Sequence, residues 1–276
     1  LNIRTEKNFP KEGIEFIDKQ GYYICYVNHF SDELKDLIRK NLCIICNGKS
    51  AAENPKEYNN YRNTLFQLNE RIKNKGDSTL KIGMVGELLV HTIFSNYFQD
   101  YQSLSPFFNL EENNIKKGFD LVLLKNNEIW INEVKAGNIH QNKTQDETIV
   151  ELLNTSKLDL NGRLNNGNLT LWLNAINHAK IALDRYNDEK EVVENILGKA
   201  YTDTQANSLQ GKNTNVFLTG VLFHNIENKF LEASICEKKE SIESESLFKN
   251  VIVFALQKSC CNTIIDFLIK EAECEN

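Results

Sequence analysis

Gly118-Phe119-Asp120-Leu121-Val122-Leu123-Leu124-Lys125-Asn126-Asn127-Glu128-Ile129-Trp130-Ile131-Asn132-Glu133-Val134-Lys135 reads as two strands joined by a tight turn. The run from Phe119 to Leu124 is apolar apart from Asp120, and the second strand carries its charge pair only at its end. Asn tolerates the left-handed backbone that a two-residue hairpin loop needs, so Asn126-Asn127 predicts the turn. Lys125 then faces Glu128, and counting outward sets Asp120 opposite Glu133. Opposed residues share a face, with Cβ atoms roughly 4.5–5.5 Å apart. Lys135 lies two residues past Glu133 and points to that same face. A loop one residue longer or shorter would undo this register.

Two carboxylates at that separation repel unless a cation lies between them or one is protonated. Asp120 and Glu133 are therefore candidate ligands for Mg²⁺ or Mn²⁺, with the Val134 carbonyl as an extra oxygen donor. Lys135 is a candidate for orienting a water or stabilising charge on a phosphate. This set suits phosphodiester hydrolysis. Each half also has a plain structural role: an Asp at a strand start caps a turn, and Glu-x-Lys on a sheet face is a solvated pair.

Upstream, Val85, Leu88, Leu89, Ile93 and Tyr97 follow helical spacing. Gly86 in such a helix costs about 1 kcal/mol against Ala, which points to close packing. Glu87 shares a side with Val90 and Phe94, making it a candidate third acid. His91, one turn on, is read as a packed helix residue.

A Gly86-Glu87 helix, Gly118-Phe119-Asp120 at a strand start and Glu133-Val134-Lys135 at a strand end resemble the PD-(D/E)xK nuclease superfamily. Phe119 stands where many members carry Pro. Together with Ser105-Pro106-Phe107-Phe108-Asn109, Lys116-Lys117 and Glu128-Ile129-Trp130, these pieces are similar to the HamA family of Hachiman anti-phage defence, and to the related AbpA subunits, over about residues 78–185. The resemblance implies an α/β fold with a restriction-endonuclease-like core, a mixed sheet flanked by helices. It implies a Mg²⁺-dependent DNA nuclease effector controlled by a HamB-like helicase subunit. Asp120, Glu133 and Lys135 carry over as catalytic, and Glu87 with them. A stand-alone type II restriction endonuclease, usually a homodimer, is one alternative. A non-catalytic interaction subunit with a nuclease-like fold is another.

The 276 residues suffice for one good core. A polar stretch, Asn74-Lys75-Gly76-Asp77, suggests an N-terminal mixed α/β lobe over 1–76 and a nuclease domain over 77–276. Hydrophobic content of 41% and charged content of 25% are those of a soluble globular protein. No apolar run approaches the ~18–20 residues that cross a bilayer, and no basic-then-apolar leader opens the sequence. The seven scattered cysteines argue for reduced thiols and a cytoplasmic location. Cys43 and Cys46 have metal-ligand spacing but sit in an apolar run with no second pair.

The net charge of −6 is unusual for a protein that grips DNA alone. Either the basic residues cluster at the site, with Lys116, Lys117, Lys125, Lys135 and Lys143 as candidates, or a partner supplies most of the grip. Strands are expected over 21–27, 215–223 and 248–256. Helices are expected from Ser31, over 55–72, 147–159 and 168–185, and from Asn262 to about Glu271. Asn161-Gly162-Arg163 reads as punctuation, with Arg163 on the surface, and Glu237–Glu245 as an exposed acidic segment. No Walker-type phosphate loop is present, so any ATP-driven step belongs to another chain.

Overall fold

The structure, a computed structural model, describes residues 12–108 and 118–274. Lys116, Lys117 and Asn109, three of the residues singled out above, lie outside them. The strands are β1 (Ile14–Lys19), β2 (Tyr22–Val27), β3 (Gln102–Ser103), β4 (Leu121–Lys125), β5 (Glu128–Asn138), β6 (Asn215–Phe223) and β7 (Asn250–Lys258). The helices are α1 (Asp32–Asn47), α2 (Lys49–Glu53), α3 (Tyr61–Asn74), α4 (Ser78–Tyr97), α5 (Gln145–Asn165), α6 (Leu169–Ala182), α7 (Asn187–Gln205), α8 (Glu232–Ser244) and α9 (Asn262–Cys274).

The seven strands form one mixed sheet in the order β1-β2-β7-β6-β5-β4-β3. The four central strands β2, β7, β6 and β5 run parallel, and antiparallel strands close both edges. β6 is buried at every position, as a parallel strand covered on both faces must be. Helices α1, α3, α4 and α9 cover one face through Leu34, Leu65, Leu89 and Leu268. Helices α5 to α8 cover the other through Leu153, Trp172, Leu197 and Ile235. The sequence-based expectation of a mixed sheet flanked by helices holds. The polar stretch 74–77 separates α3 from α4, and strands from both sides of it share the sheet. No helix among the described residues is long and apolar enough to cross a membrane.

Several expected boundaries move for identifiable reasons. The helix expected from Pro55 begins at Tyr61, because the Asn60 side chain accepts the Asn63 N–H and caps it there. The helix expected over 147–159 starts at a Thr144–Glu147 capping box and runs on through Asn161-Gly162-Arg163 to Asn165. Leu160 and Leu164 bury that last stretch, and packing overrides the glycine. The acidic segment 237–245 belongs to α8, whose Ile235 and Ile242 are fully buried. The CxxC pair lies on α1, with Cys46 in the core and the Cys43 thiol donating to Thr64 Oγ1.

Two helices approach β5 and β6 closely. A Cβ placed on Gly86 of α4 would stand 2.4 Å from the Ala136 Cβ of β5. Gly86 is thus required by packing, as its cost in a helix implies. Gly83, on the same helix, has nothing within 4 Å of an added Cβ. Gly83→Ala is therefore expected to stabilise the fold by up to about 1 kcal/mol through helix propensity. Gly86→Ala gains the same propensity but overpacks, for a net loss of about 1–3 kcal/mol. Urea unfolding of the two variants checks the opposite signs; a stabilised Gly86→Ala would show that α4 is free to move off β5.

Candidate active site

The turn places the site. Asn126 and Asn127 have φ of 51° and 59°, both left-handed. Lys125 pairs with Glu128 and Leu121 with Asn132, so the next step outward brings Asp120 to face Glu133. Asp120 sits just before β4, and its Oδ2 accepts a 2.8 Å hydrogen bond from the Val134 N–H. The carboxylate is thereby clamped to the backbone between Glu133 and Lys135.

Alternation along β5 decides what each side chain meets. Trp130, Val134 and Ala136 pack toward α4, whereas Ile131 packs toward α5. Glu133 and Lys135 share the parity of Ile131 and so turn toward α5. Glu133 is only 1% exposed. Its Oε1 accepts a 2.9 Å hydrogen bond from Lys135 Nζ, and its Oε2 ion-pairs with Arg163 Nη2. Lys135 Nζ also lies 2.7 Å from Asp159 Oδ2. Ser156 Oγ donates to the Glu133 carbonyl at 2.8 Å. Ser156, Asp159 and Arg163 follow helical spacing on α5, presenting one side to the strand.

Arg163 is the largest departure from the sequence reading, which put it on the surface. Its Nη1 donates to the Gly118 carbonyl at 3.1 Å, tying it to the start of the hairpin as well as to Glu133. Burial pulls the guanidinium below the usual arginine range, and the charge of Asp120 pulls it back up. Glu133 Oε2 is taken up by this ion pair, and Arg163 Nε is buried without a hydrogen-bond partner.

Glu87 and His91 approach from α4. Glu87 lines the same cleft as Asp120 and Glu133, a volume of about 840 Å³. His91, 2% exposed, hydrogen-bonds the backbone of Asp120. Its Nε2 stands 4.0 Å from Glu87 Oε1 with no hydrogen bond of its own. Burial pushes its pKa down to about 3, so the ring is neutral. His91 thus connects α4 to Asp120, a role its packed-helix reading did not include.

Among the described residues, no three His, Cys, Asp or Glu side chains are grouped closely enough to hold a metal ion. Glu87, the candidate third acid, lines the cleft with Asp120 and Glu133. The remaining donor set, two carboxylates at opposed positions with the Val134 carbonyl between Glu133 and Lys135, still suits a hard divalent cation. Mg²⁺ is commonly held by one or two carboxylates and keeps several waters.

Of the basic residues expected at the site, Lys135 lines the cleft, Lys116 and Lys117 lie outside the described residues, and Lys125 and Lys143 are not among the lining residues. Lys125 lies at the turn, 3.7 Å from Asp100 and over the Tyr101 ring, and Lys143 pairs with Glu151. Arg71 and Lys75, from the end of α3 and the link to α4, line the cleft with Lys135 and Arg163. Their signal in the sequence is the run Arg71-Ile72-Lys73-Asn74-Lys75, three cations in five residues.

Compared with known families, the chain matches the model of the HamA family over residues 3–272 and belongs to that family. Membership associates it with Hachiman anti-phage defence and implies an associated defence complex. No curated protein matches it.

The geometry ranks the ion pairs. Arg163→Ala leaves the buried Glu133 with Lys135 alone and is expected to cost about 3 kcal/mol. Asp159, half exposed, is expected to cost less than about 1 kcal/mol as Asp159→Asn. Equal losses for the two variants in urea unfolding would contradict this ranking.

Proposed function

We propose that this HamA-family chain is a divalent-metal-dependent DNA nuclease of PD-(D/E)xK type, the effector subunit of a defence complex controlled by a helicase partner. The observation that carries the reading is the convergence of Asp120, Glu133 and Lys135 in one cleft, brought about by a single hairpin. Asp120 and Glu133, with the Val134 carbonyl, would hold Mg²⁺ or Mn²⁺. The chemistry supplied there is Lewis-acid polarisation of the phosphodiester.

The chain's own residues do the rest. Lys135 is held from two sides, by Glu133 and Asp159, so its ammonium is preorganised at the mouth of the buried carboxylate. From there it orients the attacking water and stabilises negative charge as it builds on the phosphate. The Val134 N–H fixes Asp120 Oδ2, and His91 fixes the Asp120 backbone, so both acids keep their places without substrate. Arg71 and Lys75 on the cleft wall face the backbone phosphates of the bound strand. A net charge of −6 leaves little long-range attraction for DNA, which supports a helicase partner that delivers it.

Plasmid DNA incubated with the chain and Mg²⁺, with and without a candidate helicase partner, tests the reading. Glu133→Ala and Lys135→Ala are each expected to lower cleavage by about 10²–10³-fold. Cleavage that survives both substitutions would rule out this site. Absence of cleavage under every condition would favour an interaction subunit, and discrete fragments from the chain alone a restriction enzyme.

A further inference from the structure

We infer that Arg163 is the internal counter-ion of Glu133, holding the carboxylate until a divalent cation displaces it. The inference rests on the reading of Glu133 as a cation ligand. The register of the hairpin, extended one step past Leu121 and Asn132, sets Asp120 opposite Glu133, both line one cleft, and two carboxylates so placed call for a positive charge between them. The chain supplies one. Arg163 Nη2 is paired with Glu133 Oε2, its guanidinium feels the charge of Asp120, and Nη1 is anchored on Gly118, two residues before Asp120. One side chain from α5 thereby spans both strands of the hairpin.

How the pair is made shows why it can be exchanged. A guanidinium binds a carboxylate most strongly as a fork, through two parallel hydrogen bonds. Here Nε has no hydrogen-bond partner and the second Glu133 oxygen belongs to Lys135, so the two-bond fork is not made. Arg163 therefore holds Glu133 through one oxygen only, and the surroundings screen the pair little because Glu133 is almost wholly buried. A divalent cation carries twice the charge and needs no fork. Lys135 does not leave with Arg163, because Asp159 holds it separately. After the exchange Arg163 keeps its bond to Gly118 and turns its free donors toward the cleft, where the substrate phosphate lies.

A purely structural Arg163 makes the opposite prediction. If it only props Glu133 in place, removing it loosens the carboxylate and weakens cation binding. If it competes for Glu133, removing it strengthens cation binding. Mn²⁺ titration of the full chain, followed by the paramagnetic resonance signal of the free ion, separates the two and does not depend on cleavage. Arg163→Gln is expected to bind Mn²⁺ about tenfold tighter than the unsubstituted chain, and Arg163→Lys to fall between them. Glu133→Gln is expected to lose the site. Equal or weaker binding by Arg163→Gln, with Glu133→Gln still abolishing it, overturns the counter-ion role and leaves the cation site standing. Binding indifferent to Glu133→Gln removes both. Should circular dichroism show that Arg163→Gln is unfolded, Arg163→Lys decides: tighter binding supports the exchange, and unchanged or weaker binding overturns it.

Discussion

A carboxylate left at 1% exposure in the middle of a sheet must find positive charge, because burying it unpaired costs several kcal/mol. Glu133 is that carboxylate, and much of the surrounding structure answers it. Lys135 reaches it along the strand, Arg163 reaches it across the gap to α5, and Ser156 secures its backbone. Asp159 then balances Lys135. The result is a chain of alternating charges, Arg163–Glu133–Lys135–Asp159, that joins one strand to one helix. Packing makes the join possible. Gly220 of β6 leaves room for Ile149 and Leu153 of α5, and Gly86 lets α4 close on β5 from the other face.

The hairpin was legible in the sequence because its determinants are local. Asn126-Asn127 has turn chemistry that few residue pairs share, and alternation does the rest of the counting. The same logic placed Lys135 beside Glu133. Arg163 and Asp159 were not legible, since they lie 30 and 26 residues beyond Glu133 and Lys135 would pair with any acid nearby. Only the packing of α5 on the sheet selects them. The Asn-Gly dipeptide beside Arg163 also looked like a break, and only the burial of Leu160 and Leu164 shows why the helix continues. The pairing of β2 with β7 joins residues more than 200 apart, a non-local contact that strand propensity does not contain. β1 and α7 were not anticipated either: one is a short edge strand, and the other buries few of its residues.

Charge along the chain and charge in the cleft tell different stories. The whole protein is acidic, whereas the cleft lining balances Arg71, Lys75, Lys135 and Arg163 against Glu87, Asp120, Glu133 and Asp159. On the function proposed above, Arg71 and Lys75 would position a strand once it had arrived, and a lining so balanced would do little to attract one from a distance. On the same proposal, delivery would fall to the partner of the complex that the family implies, and the chemistry to the hairpin. Basic residues at the end of α3 also give the N-terminal segment a part in the cleft, beyond its strands in the sheet.

We infer that Asp120 and Glu133 form a cation site that Arg163 guards. A crystal of the chain soaked in Mn²⁺ and measured for anomalous scattering tests it most directly. A peak against both carboxylates, with the Arg163 guanidinium withdrawn from Glu133, is the expected result. No peak there, with Arg163 still seated on Glu133 at saturating Mn²⁺, would contradict it.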